Sequence, residues 1–241
     1  MSDERRAVVY CGTRNIYRDM IPSLKSLLTW RAADKVYLLI EDDAFPCELP
    51  EAVETINVSG QQIFPADGPN YHCRWTWMVL MRAALTKILP NESRVLSLDC
   101  DTIIQSHLRG LWETDLQGKL IGMAQEIGRP GRPYYNAGVM LQDLDAIRRS
   151  RLDDMVIHVI NHQELRFPEQ DAINTVFFNH IHKIDSRWNA SAWTEPTAIK
   201  KIVHYAANRE WTQERLVQLW RETDWDARVS DLRIREEERD G

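Results

Sequence analysis

The sequence predicts an α/β fold with a mostly parallel central sheet, and three observations lead to this fold class. Short apolar runs alternate with longer segments whose apolar residues recur at helical spacing. The connections between them are short, as in sheets whose parallel strands are joined by helices. One apolar run, 95–98, ends in Asp99 and Asp101, and ligands of such sheets bind beyond the carboxyl ends of strands.

Each predicted strand is a short apolar run, as expected for strands that are buried on both faces of a sheet. Such runs occur at 7–11, 36–40, 55–58, 95–98, 120–124, 137–141 and 201–205. A turn at 12–15, with the sequence Gly-Thr-Arg-Asn, follows the first of them.

Helices are predicted where apolar residues recur three or four positions apart. These segments are about 20–30, 77–89, a helix that follows 137–141 and ends near 161, 171–178, and a last helix that carries Leu216, Leu219 and Trp220. The second helix is expected to end at Pro90. Segments 60–73 and 128–133 contain glycine and proline and are predicted to be loops.

The length of 241 residues and a hydrophobic content of 44% predict one large domain with an ample core. We assign this domain to residues 1–222. Residues 223–241 are interpreted as a charged tail that is a frayed helix or disordered, because charges of alternating sign dominate its end.

Composition also restricts the partners and the location of the protein. The net charge of −6 argues against nucleic-acid binding. No apolar run approaches the roughly 20 residues that span a bilayer, and the first residues lack the apolar region of a signal peptide. We therefore expect a soluble, cytoplasmic protein with at most peripheral membrane association. The four cysteines are scattered, which predicts reduced thiols rather than a zinc site or disulfides.

The Asp-Cys-Asp segment at 99–101 is the first candidate site. In an extended segment, residues two apart point to the same side, so Asp99 and Asp101 can converge on one cation. Carboxylate oxygens suit a hard divalent ion, which commonly bridges protein and substrate phosphates. A solvated turn is the alternative interpretation. A P-loop is excluded, because G-x-x-x-x-G-K-[ST] does not occur.

Three later segments strengthen the interpretation as a metal site. Asn136 precedes a predicted buried strand, and Gly138 would permit the close approach of a ligand or of another backbone. Glu169, Gln170 and Asp171 form a polar group at a predicted helix start, where capping accounts for only one of them. His204 emerges from an apolar strand and, when neutral, can complete a metal site. The alternatives are a turn asparagine, a packing glycine and a structural histidine.

Taken together and in this order, these segments resemble glycosyltransferase family 8, the retaining group that includes glycogenin and the lipopolysaccharide galactosyltransferases. That family shows an apolar run into Asp-x-Asp, then Phe-Asn-Ala/Ser-Gly-Val, then Asp-Gln-Asp, then a late His-Tyr. The resemblance covers roughly 8–211. It implies the GT-A fold, a single Rossmann-like domain that binds a nucleotide sugar.

The resemblance implies a role for each matching residue. Asp99, Asp101 and His204 would bind Mn²⁺ or Mg²⁺. Gln170 would lie beside the anomeric carbon of the donor, with Glu169 and Asp171 as the other catalytic candidates. The donor would contact Cys11, Thr13, Asn15, Tyr17, Arg82 (or Arg74), Asp99, Cys100, Glu126, Asn136, Gly138 and Arg209. Tyr17 either stacks on uracil or is a core aromatic.

The chain departs from the family pattern in places. Glu169 and Glu126 stand where the family usually has aspartate, which would reshape the sugar pocket. The closing His-x-x-Gly-x-x-Lys-Pro-Trp is only partly kept, and Arg209 could replace its lysine as a phosphate contact.

The resemblance implies retaining transfer of a hexose from UDP-glucose or UDP-galactose to a glycan, a lipid-linked sugar or a protein. Front-face attack and double displacement through Glu169 or Asp171 both remain open. The loop at 129–133, which contains Arg129 and Arg132, and the Trp188/Trp193 region are candidates for the acceptor side, with a solvated loop as the alternative for 129–133. The alternatives are a non-catalytic UDP-sugar-binding protein of the same fold and a haloacid-dehalogenase-like phosphatase.

Overall fold

A computed structural model of the chain describes residues 5–127, 131–193 and 200–229. Its strands, in chain order, are β1 (Ala7–Cys11), β2 (Lys35–Ile40), β3 (Val53–Asn57), β4 (Arg94–Leu98), β5 (Thr102–Ile104), β6 (Ile121–Gln125), β7 (Tyr135–Asp143), β8 (Ile181–Ile184), β9 (Ala190–Ser191) and β10 (Ile202–His204). Its α-helices are α1 (Tyr17–Thr29), α2 (Leu85–Ile88), α3 (Arg109–Trp112), α4 (Leu144–Ser150), α5 (Leu152–His162), α6 (Pro168–Val176) and α7 (Arg215–Glu222).

The central sheet has seven strands in the order β3-β2-β1-β4-β7-β6-β8. All neighbouring strands run parallel except β7, which is antiparallel to both β4 and β6. The prediction of an α/β fold with a mostly parallel sheet is therefore confirmed. The antiparallel direction of β7 was not predicted, because a short apolar run does not specify which way its strand runs.

Helices cover both faces of this sheet. Alternate side chains of β1 enter different clusters: Val8 and Tyr10 pack with α1, whereas Val9 and Cys11 pack on the opposite face with the helical segments around Met81. Full burial of β1 on both faces accounts for its continuous apolar sequence.

Two predicted helices differ from the structure. The segment predicted at 77–89 begins as a 3₁₀ helix, Trp77–Ala84, and becomes α-helical only at α2. The helix predicted to reach about 161 is divided into α4 and α5 at Arg151, whose φ of 57° lies in the left-handed region. A residue with positive φ ends the hydrogen-bond series of a helix, which explains the break.

A second sheet of three strands, in the order β5-β10-β9, lies at the carboxyl end of β4. β5 follows the Asp-Cys-Asp segment directly and pairs with β10 in antiparallel register, so that Thr102 lies opposite His204. The sequence did not predict β5 or β9 as strands, since both are too short for a periodic pattern. This small sheet joins two candidate site segments that are far apart in the chain.

The chain remains packed beyond the end of α7. Thr223 is buried, and Lys25 donates a hydrogen bond to its carbonyl oxygen. The same ammonium group lies 5.3 Å from the ring centroid of Trp225. The predicted tail from residue 230 onward lies outside the described residues, as does Arg129. Among the helices that the structure describes, none is long and apolar enough to cross a membrane.

Candidate active site

Three candidate metal ligands meet where β4 ends. The Nε2 atom of His204 lies 3.4 Å from Oδ2 of Asp99 and 3.2 Å from Oδ1 of Asp101. The histidine is buried, whereas each aspartate is partly exposed, so the group opens to solvent on the carboxylate side. The structure therefore brings together all three residues that the sequence selected.

Backbone pairing holds His204 against the two aspartates. The Tyr205 amide donates to the Asp101 carbonyl at 3.0 Å, which continues the β5–β10 ladder. On the other side, the Asp99 amide donates to the Gly138 carbonyl at 2.8 Å. A Cβ atom at Gly138 would overlap the imidazole ring of His204 and lie 2.6 Å from its Nδ1. The glycine is thus needed here for close approach.

Arg82 is the cation beneath this group. Its guanidinium is buried, pairs with both Asp99 and Glu169, and donates to the Ala137 carbonyl at 2.9 Å. Arg82 was predicted to bind the donor. With 3% of its surface exposed, it instead bridges the segment of Asp99 and α6. Its pKa is raised above the ordinary value, because the two carboxylates outweigh the effect of burial.

The charges in this group change each other's proton affinity. Burial raises the pKa of Asp99, but Arg82 and His204 reverse this and lower it to about 2. Burial lowers the pKa of His204, but Asp101 and Asp99 raise it to about 10. Without a metal, a proton on the imidazole therefore neutralises part of the carboxylate charge. Burial raises the pKa of Glu169, and the neighbouring Arg82 opposes this shift.

The other candidate residues form an amide–carboxylate network next to this group. Oε1 of Glu126 accepts hydrogen bonds from Nδ2 of Asn136 at 3.1 Å and from Nε2 of Gln170 at 3.2 Å. The same Gln170 nitrogen lies 3.0 Å from the Tyr134 hydroxyl, and its Oε1 accepts from the Ala137 amide at 2.8 Å. The side chain of Gln170 is thus fixed between β7 and the segment that follows β6.

Asp171 fixes the beginning of α6. Its Oδ1 accepts from the Tyr134 hydroxyl, and its Oδ2 accepts from the Phe167 amide at 2.8 Å. Pro168 occupies the first helical position, where the missing amide hydrogen is not needed. The helix start therefore holds Glu169 and Gln170 in place while Asp171 stabilises the turn before them.

The turn after β1 holds the predicted uridine-contacting residues in two different environments. Thr13 is buried and donates a hydrogen bond to Oδ1 of Asn15, which is exposed. The ring of Tyr17 is only 3% exposed and lies 5.2 Å, centroid to centroid, from Phe45. Its hydroxyl accepts from the Glu41 amide at 2.9 Å. The environment of Tyr17 is that of a core aromatic.

Two cysteines lie between the turn and the aspartates. The Cys100 thiol donates to the Cys11 carbonyl at 3.3 Å. Burial raises the pKa of Cys11 to about 12 and that of Cys100 well above its ordinary value, so both are neutral thiols. Arg209 follows β10 on an exposed turn and forms no ion pair within residues 5–127, 131–193 and 200–229.

Two residues of this region, Asn189 and Tyr134, were not predicted from the sequence. Asn189, at the end of a 3₁₀ turn (Ser186–Asn189), lies 2.8 Å through its Oδ1 from Nδ1 of His204. Tyr134 joins Gln170 to Asp171. No local pattern marks either residue, although Tyr134 directly precedes the Tyr-Asn-Ala-Gly segment that was selected.

The chemistry of the donor set fits a hard divalent ion. One atom each of Asp99, Asp101 and His204 lie within 4.8 Å of one another. Carboxylate oxygens with one imidazole nitrogen suit Mn²⁺ or Mg²⁺ better than a thiolate-preferring metal. The partial exposure of both aspartates leaves an open side for a ligand oxygen.

Comparisons with solved structures identify the fold. The glycosyltransferase GlyE from Streptococcus pneumoniae superposes with a TM-score of 0.71 and 20% identity, covering 99% of this chain and 64% of that one. The galactosyltransferase LgtC, solved with donor and acceptor sugar analogs, gives a TM-score of 0.68 and 19% identity, covering 88% of this chain and 93% of LgtC. The fold is therefore the GT-A fold of these glycosyltransferases.

Curated sequences lead to the same group. Glycosyltransferase GlyA of S. pneumoniae is 24% identical over 251 residues, which cover 92% of this chain and 34% of GlyA. General stress protein A of Bacillus subtilis is 24% identical over 128 residues, 46% of this chain and 45% of that protein. The chain thus spans less than half the length of these relatives. The family model for glycosyl transferase family 8 matches residues 10–209, which is most of the chain. The chain belongs to glycosyltransferase family 8.

Proposed function

We propose that this protein is a metal-dependent retaining hexosyltransferase that uses UDP-glucose or UDP-galactose. One observation carries the proposal: the Asp99, Asp101 and His204 group meets the Gln170 network at Gly138, where His204 and Asn136 approach the same position. A diphosphate-binding group and a sugar-orienting group are thus next to each other, as transfer from a nucleotide sugar requires.

Asp99, Asp101 and His204 would hold Mn²⁺ or Mg²⁺, which when bound neutralises the charge that develops on the departing diphosphate. Arg82 keeps Asp99 ionised and oriented through an ion pair in which the guanidinium is buried and the carboxylate partly exposed. Preorganised charges of this kind need no reorganisation during the reaction. Asn15 and Arg209 are both exposed. In this proposal Asn15 would contact the uridine and Arg209 a phosphate.

Gln170 is the residue we assign to the reacting centre. Three hydrogen bonds fix its amide, so it can orient the donor sugar without being consumed. Asp171 holds the helix start with both of its oxygens, which supports a structural role rather than nucleophilic attack. Glu169 is buried and paired with Arg82, which also disfavours attack. We therefore favour front-face transfer over double displacement.

The acceptor that we propose is a glycan, a lipid-linked sugar or a protein, and the proposed location is the cytoplasm. Two relatives support a sugar acceptor by what is said of them: LgtC was solved with an acceptor sugar analog, and the mouse relative is a xyloside xylosyltransferase. The xylosyltransferase, 25% identical over 71% of this chain, makes UDP-xylose a necessary member of any donor panel.

The test is UDP release from UDP-glucose, UDP-galactose, UDP-xylose and UDP-N-acetylglucosamine, each with Mn²⁺ and with EDTA. We expect slow release from one hexose donor in Mn²⁺ and none in EDTA. Asp101→Asn should abolish this release because it removes one charged metal ligand. Asp115→Asn is the matched control, because Asp115 is exposed and lies at the opposite end of β4 from the metal ligands. Its neighbour Thr114 accepts a hydrogen bond from Arg94, the first residue of β4.

Full activity of Asp101→Asn would contradict the metal assignment. Metal-dependent UDP binding with no turnover of any donor, even with simple sugar acceptors present, would favour the non-catalytic alternative. Release only from UDP-xylose would retain the transferase and correct the donor class.

A further inference from the structure

The second ring nitrogen of His204 has a specific partner. Its Nδ1 lies 2.8 Å from Oδ1 of Asn189, while its Nε2 faces Asp99 and Asp101. Asn189 ends the 3₁₀ turn before β9, and β9 pairs with β10. The imidazole is therefore held from both sides, by the carboxylates at one nitrogen and by an amide at the other.

A backbone amide, that of Gly138, determines which atom donates in the hydrogen bond between Asn189 and His204. The Gly138 amide donates to one atom of the Asn136 side chain at 2.8 Å, and only the amide oxygen can accept it. The nitrogen of Asn136 must then point the other way, where it donates to the carboxylate of Glu126 at 3.1 Å. Both ends of Asn136 are thus assigned by partners whose roles cannot be reversed.

Asn136 in turn fixes the orientation of Asn189 and the protonated nitrogen of His204. The Asn136 oxygen also accepts from the Asn189 side chain at 2.9 Å, so the Asn189 atom facing it is the nitrogen. The Asn189 oxygen therefore faces Nδ1 of His204, which must carry a hydrogen. In the neutral ring the lone pair then lies on Nε2, the nitrogen between the two aspartates.

We infer that Asn189 is a positioning residue, which sets the tautomer and the angle of His204 and links it to the donor-sugar side of the site. The linkage runs from Glu126 through Asn136 and Asn189 to His204 in one uninterrupted series of hydrogen bonds. This inference rests on the proposed function for the identity of its metal, but the hydrogen bond itself does not depend on a metal.

Two substitutions of Asn189 distinguish its hydrogen bond to His204 from its hydrogen bond to Asn136. Asn189→Ala removes both hydrogen bonds, and partners that orient a metal-bound histidine typically contribute 10–100-fold to metal affinity. We expect Asn189→Ala to weaken Mn²⁺ binding by about that factor. Asn189→Asp keeps an acceptor for His204 but cannot donate to Asn136. It should bind Mn²⁺ at least as tightly as the wild type while its KM for the donor rises.

Mn²⁺ binding is measured on the unliganded protein by the loss of the free-ion signal in electron paramagnetic resonance. Asn179→Ala is the matched control, because Asn179 is exposed and its hydrogen bond with Lys119 uses the backbone carbonyl, which the substitution keeps. Equal Mn²⁺ affinity of the wild type and Asn189→Ala would overturn the inference. A loss in Asn189→Ala that Asn189→Asp does not restore would also overturn it, since the acceptor would then not matter.

A second measurement does not need the metal. In protein labelled with ¹⁵N-histidine, His204 should show a slowly exchanging Nδ1–H signal, identified among the seven histidines by its loss in His204→Gln. The signal should persist in Asn189→Asp and disappear in Asn189→Ala. Absence of this signal in the wild type, or its survival in Asn189→Ala, would overturn the inference. Failure of the wild type to bind Mn²⁺, with the signal behaving as expected, would instead contradict the proposed metal dependence.

Discussion

The end of β4 and the turn after β1 lie at neighbouring strands of one sheet, yet charged side chains contribute to the two regions in different ways. At the end of β4, charged groups from distant segments pair with each other: Asp99 with Arg82 and His204, and Arg82 with Glu169. In the turn after β1, Thr13 bonds its near neighbour Asn15 and Tyr17 is held by the core. The ion pair that this turn forms with a distant segment, between Arg14 and Asp42, lies on the exposed surface.

The difference shows which substitutions would have a large effect. A buried ion pair that loses one partner leaves an uncompensated charge, which costs far more than the net contribution of the intact pair. A local turn can lose one side-chain hydrogen bond at a cost of about 1 kcal/mol. The end of β4 is therefore expected to control folding and metal binding together, whereas substitutions in and just after the turn that follows β1 should have small effects, on stability or on ligand contact but not on both.

The largest effect is expected from Arg82→Met. The substitution leaves Asp99 and Glu169 without their shared cation, and breaking a buried pair typically costs about 3–5 kcal/mol. We expect the free energy of unfolding in urea to fall by about that amount. Arg149→Met, on the exposed surface of α4, is the control and should change little. A loss below about 1 kcal/mol would show that the ion pairs are not coupled to folding.

The sequence predicted which charged residues belong to the site, but it did not predict which of them contact each other. Asp99 and Asp101 were predicted as a pair because alternation in an extended segment is a local property. The bridge from Arg82 to Glu169 joins the 3₁₀ helix to α6, and no periodicity within either segment records the other. The order of strands in the sheet decides which charged residues come into contact. The sequence pattern does not determine that order.

Asn189 shows the same limit more sharply. It lies in the Trp188/Trp193 region that was selected for the acceptor side, but it was not itself predicted to have a role. Its importance comes from two side-chain partners, Asn136 and His204. An asparagine at the end of a short turn is unremarkable in sequence, because turns favour this residue for local reasons. The fold class could be predicted from repeated local patterns, whereas this hydrogen-bond series depends on the small sheet that places β9 beside β10.

A smaller effect is expected from Gly138→Ala. The new methyl group would overlap the ring of His204 and come within 2.9 Å of Oδ1 of Asn136. Overpacking of this kind typically costs about 1–3 kcal/mol. Because the displaced ring is the candidate metal ligand, we expect weaker Mn²⁺ binding in addition to lower stability. If Gly138→Ala lowered stability but left the Mn²⁺ affinity unchanged, His204 would not be a metal ligand.

The control for Gly138→Ala is Gly60→Ala. A Cβ atom at Gly60 would meet nothing within 4 Å. Both thermal unfolding and Mn²⁺ titration should therefore match the wild type in the control.

The smallest effects are expected in the turn after β1, where a pair of substitutions tests the contrast directly. Tyr17→Phe removes the hydroxyl that accepts from the Glu41 amide, so it should cost about 1 kcal/mol of stability while the affinity for UDP stays within about twofold. Asn15→Ala alters an exposed side chain. It should weaken UDP binding about tenfold, equivalent to roughly 1.4 kcal/mol, with little change in stability.

Isothermal titration with UDP in Mn²⁺ and urea unfolding of the same two variants decide this pair. The ring of Tyr17 remains in Tyr17→Phe, so a strong loss of UDP affinity there would mean that the hydroxyl itself contacts the ligand, despite its burial against Phe45. Unchanged UDP affinity in Asn15→Ala would move the uridine contact away from this turn. In that case most of the affinity for the nucleotide would come from the charged end of β4. That region would then dominate both stability and nucleotide binding, and the turn after β1 would contribute little to either.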